Sequence, residues 1–136
     1  MQSREIRRRL NEHSRWIASG VLPSLEESCR LRLGGCNLKK ATITNFNFTY
    51  AILLGVDLSE SNLYSSKFYC SNCLFTSFRG ANLQEVSFFR TDCRYVDFTE
   101  ADLSWVIFTQ CRLHGAMFEK TNLHKTKFYN CEGYNP

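Results

Sequence analysis

From Leu31 onward the chain repeats in fives. Twenty positions, stepping from 33 to 128, carry no polar or charged residue, running from Leu33, Leu38, Ile43 and Phe48 to Leu123 and Phe128. Two residues ahead of each lies a second series of mostly small side chains, such as Ala51, Ser61, Thr76, Ala81, Val96 and Cys111. The positions between and after the two series hold nearly all the charge. A helix repeats every ~3.6 residues and a strand every ~2, and neither keeps phase with a period of five for long. A chain that turns a corner every five residues does keep it. Four such sides close a square coil of twenty, and coils of this kind stack as a β-solenoid.

A twenty-residue coil makes a second demand: every fourth centre falls in one column. One column reads Phe48, Phe68, Phe88, Phe108, Phe128, and another reads Ile43, Leu63, Leu83, Leu103, Leu123. A third changes once, from Leu38 and Leu58 to Phe78, Phe98 and Phe118. Like stacks on like because rungs sit ~4.8 Å apart, so identical side chains share a rotamer and pack face to face.

Five-mers such as Ala81-Asn82-Leu83, Ala101-Asp102-Leu103 and Thr121-Asn122-Leu123 resemble the pentapeptide repeat family, whose motif is A-(D/N)-L-X-X. The resemblance covers residues 31–131. It implies a right-handed quadrilateral β-helix, here an all-β solenoid of about five coils, with two residues of each five pointing in. Phe46 is large for the small series, and Cys73 and Cys93 are small for centres. Local widening near the first coil and narrowing beside the two cysteines are expected.

The chain divides into a cap and connector over 1–30, the β-helix over 31–131 and a tail over 132–136. Ser3 is placed to cap a helix running to about Ser19, with Gly20 as its stop. Ile6, Leu10, His13 and Ile17 share one face, flanked by Trp16. An open coil end presents bare main-chain edges and apolar side chains, and this helix is the natural plug. Leu10, His13, Trp16 and Ile17 also resemble the L-x-x-H-x-x-W-L leader of bacterial pentapeptide repeats. Val21 to Cys29, with Pro23, is a connector. At the other end the last coil is open, covered by the tail with Tyr134, or paired with a second copy. The resemblance implies end-to-end homodimers through this terminus, and the open edge supplies a physical motive.

The net charge is +4, and residues 31–131 hold eleven Lys and Arg against eight Asp and Glu. That balance does not favour nucleic acid. Seven cysteines make no even framework. Cys36, Cys73, Cys93, Cys111 and Cys131 fall on inward positions and read as free core thiols in a reducing compartment, so a cytoplasmic setting is expected. No secretory leader and no membrane span are expected, since the longest apolar run is Tyr50 to Val56.

The chain offers little for catalysis. His114 and His124 project from opposite sides, and His13 lies on the cap. Cys70 and Cys73 form a C-x-x-C string, but one points out and the other in. No enzyme activity, cofactor, metal or small-molecule substrate is expected. Two surface features remain. Asp57, Glu60, Asp97 and Glu100 share one side, and the resemblance implies that family members of this kind act as DNA mimics on gyrase. Here the acidic pairs skip a coil at Ser77 and Gly80, and Lys40 and Lys120 bound that side. The other feature is apolar. Tyr50, Ile52, Leu54, Tyr69, Leu74, Phe75, Phe89 and Tyr95 collect on two neighbouring sides, rimmed by Lys67, Arg90 and Arg94. Aromatics on strands stack on their neighbours without any partner, yet a contiguous apolar area with a basic rim is also how a protein-binding patch looks. The sequence therefore reads as a non-catalytic protein-interaction module with an unidentified protein partner. The alternative is a DNA mimic that protects or inhibits gyrase or another topoisomerase.

Overall fold

Apolar side chains that recur every five residues can share one interior only if the backbone turns between them. The computed structural model describes residues 3–20 and 30–135, and the expected connector over 21–29 lies outside the described residues. Its backbone turns four times per coil. Main-chain pairing is parallel and joins each rung to the residue twenty further on. Arg32, Ile52, Asn72, Asp92, Arg112 and Glu132 form one such ladder, and Thr42, Asn62, Asn82, Asp102 and Asn122 another. We number the sides by their centres: the first holds Leu33 and Leu53, the second Leu38 and Phe78, the third Ile43 and Leu63, the fourth Phe48 and Phe68. On the fourth side the rungs lengthen into strands: β1 (Lys67–Tyr69), β2 (Ser87–Phe89), β3 (Ile107–Thr109) and β4 (Lys127–Tyr129), paired in that order.

Phenylalanine fills the interior from two opposite sides. On the fourth side the rings stack nearly parallel: Phe48 on Phe68 at 4.6 Å, Phe88 on Phe108 at 4.8 Å, Phe108 on Phe128 at 4.9 Å. On the second side Phe78 stacks on Phe98 at 5.6 Å and Phe98 on Phe118 at 5.2 Å. The two stacks meet edge to face across the square, as for Phe68 and Phe78 at 5.7 Å and 85°. Both arrangements are the ones aromatic quadrupoles favour. Each fully buried Phe or Leu contributes about 1.5–3 kcal/mol before chain entropy is charged.

The small inward series has its own logic. Buried hydroxyls there donate to a centre carbonyl of the preceding coil, as Thr76 Oγ1 does to Leu53 at 2.8 Å and Thr91 Oγ1 to Phe68. Ser and Thr thus enter the core satisfied. Phe46 stacks on His13 of the cap at 6.1 Å and is tilted against Phe48 at 4.5 Å. Ser66 Oγ bridges the turn beside it, accepting from the Phe46 N–H and donating to the Ile43 carbonyl. Cys36, Cys73, Cys93 and Cys111 are buried free thiols, and Cys131 is half-buried. Burial pushes the Cys73 and Cys111 thiols up to about 12, so they are protonated core groups.

The Asn or Asp before a centre has a structural job. Its Oδ1 accepts the N–H two residues on, as Asp57 does from Ser59 at 2.9 Å and Asn72 from Leu74 at 3.0 Å. The corner that follows sits at positive φ. Among the described residues sixteen corners other than glycine do so, including Phe75 at 59°, Tyr95 at 56° and Trp105 at 63°. On the first three sides a turn bond closes most corners, as from Val56 N–H to Leu53 C=O at 3.0 Å.

Helix α1 (Ser3–Ser19) closes the first coil. Ile6, His13 and Trp16 are its buried residues. His13 Nδ1 accepts the Leu31 N–H at 3.1 Å, which ties helix to ladder. Arg8 and Arg9 are engaged on the cap itself, with Glu5 and, for Arg9, the Arg32 carbonyl at 2.8 Å. At the far end Tyr134 stacks on Phe128 at 3.8 Å and lies edge-on to Phe118. Tyr134 thus lies over one wall of the last coil, whose centres Phe118, Leu123 and Phe128 stay half-buried.

The corners give a direct comparison. A Cβ on Gly115 would lie 2.4 Å from the Tyr95 ring, whereas one on Gly55 meets nothing within 4 Å. Both have positive φ, so that strain, roughly 1 kcal/mol, is common to both. Gly115→Ala is expected to cost about 1–3 kcal/mol more than Gly55→Ala. Equal urea midpoints for the two variants would contradict the close seat of Tyr95 on Gly115.

Candidate protein-binding surface

Because the motif directs two residues of every five inward, the other three are free of the core and set the surface. Seven of the eight residues singled out on the surface fall into three groups, and Ile52 lies apart from them. Phe75 and Tyr95 stack face to face at 5.2 Å and 16° on the corner between the first and second sides. They are 57% and 52% exposed. Tyr95 lies over Gly115, so the pair is held from below by main chain. Leu54, also exposed, and half-buried Leu74 adjoin them on the first side.

Tyr69 and Phe89 meet edge to face at 5.9 Å on the fourth side. A hollow of about 330 Å³ opens there, lined by Tyr69, Phe89, Ile107 and Thr109. The two pairs are not contiguous. Between them runs a polar groove that carries Cys70, Asn72, Arg90 and Asp92, with Ile52 at its wall.

Tyr50 is placed differently. Its ring lies 6.2 Å from Trp16 of α1, with the Arg30 guanidinium 5.9 Å from its centroid. The cap therefore takes the side chain that the register points to solvent.

Trp105 and Ile107 extend the surface and were not singled out from the sequence. They are 57% and 41% exposed. Ile107 lines the fourth-side hollow, and Trp105 sits at the adjoining corner, edge-on to His124 at 6.1 Å. Both occupy outward positions of the period, so the register itself held the signal.

The acidic side has a different character. Glu60 pairs with Lys39 at 3.1 Å and with Lys40 at 3.5 Å, and Glu100 pairs with Arg79 at 2.9 Å. The Lys39 and Lys40 ammoniums hold the Glu60 carboxyl below its usual range. Among the described residues no group of three His, Cys, Asp or Glu could hold a metal ion, and no described helix is long and apolar enough to cross a membrane.

A family model described as pentapeptide repeats matches in eight copies, over residues 30–63, 57–94, 66–104 and 97–132. The chain belongs to the pentapeptide repeat family.

Solved structures of such proteins share its right-handed quadrilateral β-helix. The crystal structure of the pentapeptide repeat protein Rfr23 from the cyanobacterium Cyanothece 51142 is 19% identical, with a TM-score of 0.65, over 82% of this chain and 95% of that one. QnrB1, a plasmid-mediated fluoroquinolone resistance protein, gives 19% and 0.70, over 75% of this chain and 53% of its own. HetL, involved in heterocyst differentiation regulation in the cyanobacterium Nostoc sp. strain PCC 7120, gives 19% and 0.58, over 71% and 50%. This pentapeptide repeat protein thus matches about half the length of the latter two, and likeness at such identity is one of fold. No curated protein matches the sequence.

Proposed function

We propose that this pentapeptide repeat protein is a non-catalytic protein-interaction module, whose rigid β-helix presents aromatic surfaces to a protein partner. The observation that carries this reading is the exposure of Phe75, Tyr95, Trp105 and Ile107 on a frame that fixes their positions. Large apolar side chains grouped at the surface mark interaction sites. Phe75 and Tyr95 are already restrained by their stack and Trp105 by its edge contact with His124, so little side-chain entropy is lost there on binding. The interface would centre on Phe75, Tyr95, Leu54 and Leu74 on one flank and on Tyr69, Phe89 and Ile107 on the other, with Tyr50 contributing through the docked cap. Buried, protonated thiols fit a reducing compartment, and a bacterial cytoplasm belongs to this proposal.

The alternative, DNA mimicry towards gyrase or another topoisomerase, has less support. A mimic needs a dense negative surface, and on the acidic side Glu60 and Glu100 are each paired with a cation, Lys39 and Lys40 for the one and Arg79 for the other. The likeness to QnrB1 is one of fold and carries no partner with it.

Phe75→Ser with Phe89→Ser removes no core atom, so the double variant is expected to keep its circular dichroism spectrum and urea midpoint. It is expected to lose a protein captured from lysate by the wild type, and unchanged capture would contradict the proposal. Self-pairing through the last coil would have to lift Tyr134 off Phe128. With Tyr134 seated on Phe128, a mass of 15.8 kDa by light scattering is expected; twice that mass for the wild type, falling to 15.8 kDa in a Phe128→Ser variant, would place a second copy on this end instead.

A further inference from the structure

Beyond the first coil, where Ala51 N–H donates to the Phe48 carbonyl at 2.9 Å, the corner between the fourth and first sides differs from the other three. No turn bond follows Phe68, Phe88 or Phe108 among the described residues, because the strands of the fourth side run on to the corner. A groove of about 400 Å³ opens along it. The N–H groups of Ser71 and Thr91, two residues that line it, have no main-chain acceptor among the described residues.

Three arginines stand over this groove: Arg30, Arg90 and Arg112. Two are held by one nitrogen each. Arg30 Nε donates to the Tyr50 carbonyl at 2.6 Å, and Arg90 Nε donates to Gln110 Oε1 at 2.9 Å. The Arg90 guanidinium also lies 5.2 Å from the Phe89 ring centroid. The acid in the groove, Asp92, is engaged by Arg94 at 2.7 and 2.9 Å, with Arg112 at 4.0 Å. Partial burial pulls its carboxyl up, but the Arg94 hydrogen bonds outweigh this and hold it below the usual range. The groove therefore carries three arginines, two of them held in place, and its acid is neutralised by a fourth, Arg94.

We propose that this groove takes an extended acidic segment of a protein partner. The inference rests on the interaction reading and adds the partner's chemistry. Arg30 and Arg112 are four rungs apart, about 20 Å at ~4.8 Å per rung. That is about six residues of extended chain at ~3.3 Å each, too long for one small anion to span. The positive charge is sparse over this length. Duplex DNA carries a charge every ~1.7 Å, a poor match to three arginines and an aspartate. A segment with two or three carboxylates matches, and guanidiniums pair with carboxylates in a two-pronged geometry. The aromatic pairs on either flank are placed to take apolar residues beside such a segment.

The probe is fluorescein-labelled hexaglutamate, followed by anisotropy at low salt. Saturable binding that weakens with added salt is expected. Arg90→Gln with Arg112→Gln is expected to weaken it by about tenfold. Arg79→Gln with Lys120→Gln, the same charge change on the second side, should leave it unchanged. Gln110→Glu, which puts a carboxylate into the groove while keeping all three arginines, is expected to weaken it as well. No saturable binding, equal loss in both charge-matched variants, or tighter binding of a labelled hexathymidylate would each overturn the assignment. If hexaglutamate fails while the Phe75 and Phe89 substitutions still abolish capture, the groove assignment falls and the interaction reading stands. The opposite pair of results removes the aromatic surfaces and keeps the groove.

Discussion

Two stacks of phenylalanine, meeting edge to face across a square interior, constrain everything else in this molecule. Each stack needs its next ring one rung away in the same column. That requirement fixes twenty residues per coil and five per side, for any other spacing would rotate a ring onto the wrong wall. The rings of the fourth side lie within 2° to 20° of parallel from Phe48 to Phe128, so the coils neither fan nor slide along that wall. Leucine and cysteine centres on the other two sides fill what the rings leave.

This inward order frees the outside. A non-glycine residue at positive φ costs roughly 1–2 kcal/mol in a free chain. Here the N–H of such a corner donates to the next coil, as Tyr50 does to Tyr69 at 2.8 Å and Trp105 to His124 at 2.9 Å. Repeated rung bonds on both flanks hold the strained conformation, and the corner side chain is left to face solvent. Tyrosine, tryptophan, arginine and glutamate all occupy corners with the same backbone. The surface can therefore change its chemistry without touching the core, which is the property a binding scaffold needs.

Much of this was legible in the sequence because period five is a global signal carried by every repeat. The inward cysteines, the stacking of Phe75 with Tyr95 and of Tyr69 with Phe89, and the burial of Ile6 and His13 follow from it or from helical spacing, whereas Trp16, expected beside that face, is buried and Ile17 only half-buried. The register is blind to what lies outside the repeats. It pointed Tyr50 to solvent, but Trp16 and Arg30 lie against that ring, since the cap docks at the corner where Tyr50 sits. It gathered the aromatics into one patch, but a groove divides them. That groove runs along a corner that lacks its turn bond after Phe68, Phe88 and Phe108, a hydrogen-bond property that side-chain type does not encode. Trp105 and Ile107 were visible in the register and emerged as a surface only once the fourth-side hollow placed Ile107 beside Phe89.

The most direct test of this account is a urea titration of two insertion variants. Duplicating residues 71–90 adds one full coil and keeps both phenylalanine columns continuous. Duplicating only residues 71–75 adds one side, so Phe78, Phe88 and every later centre move onto a neighbouring wall. The account predicts a higher unfolding midpoint than wild type for the longer insertion and a lower one for the shorter. A shorter insertion as stable as the longer would mean that five-residue turns alone hold the fold, and that the stacked columns do not.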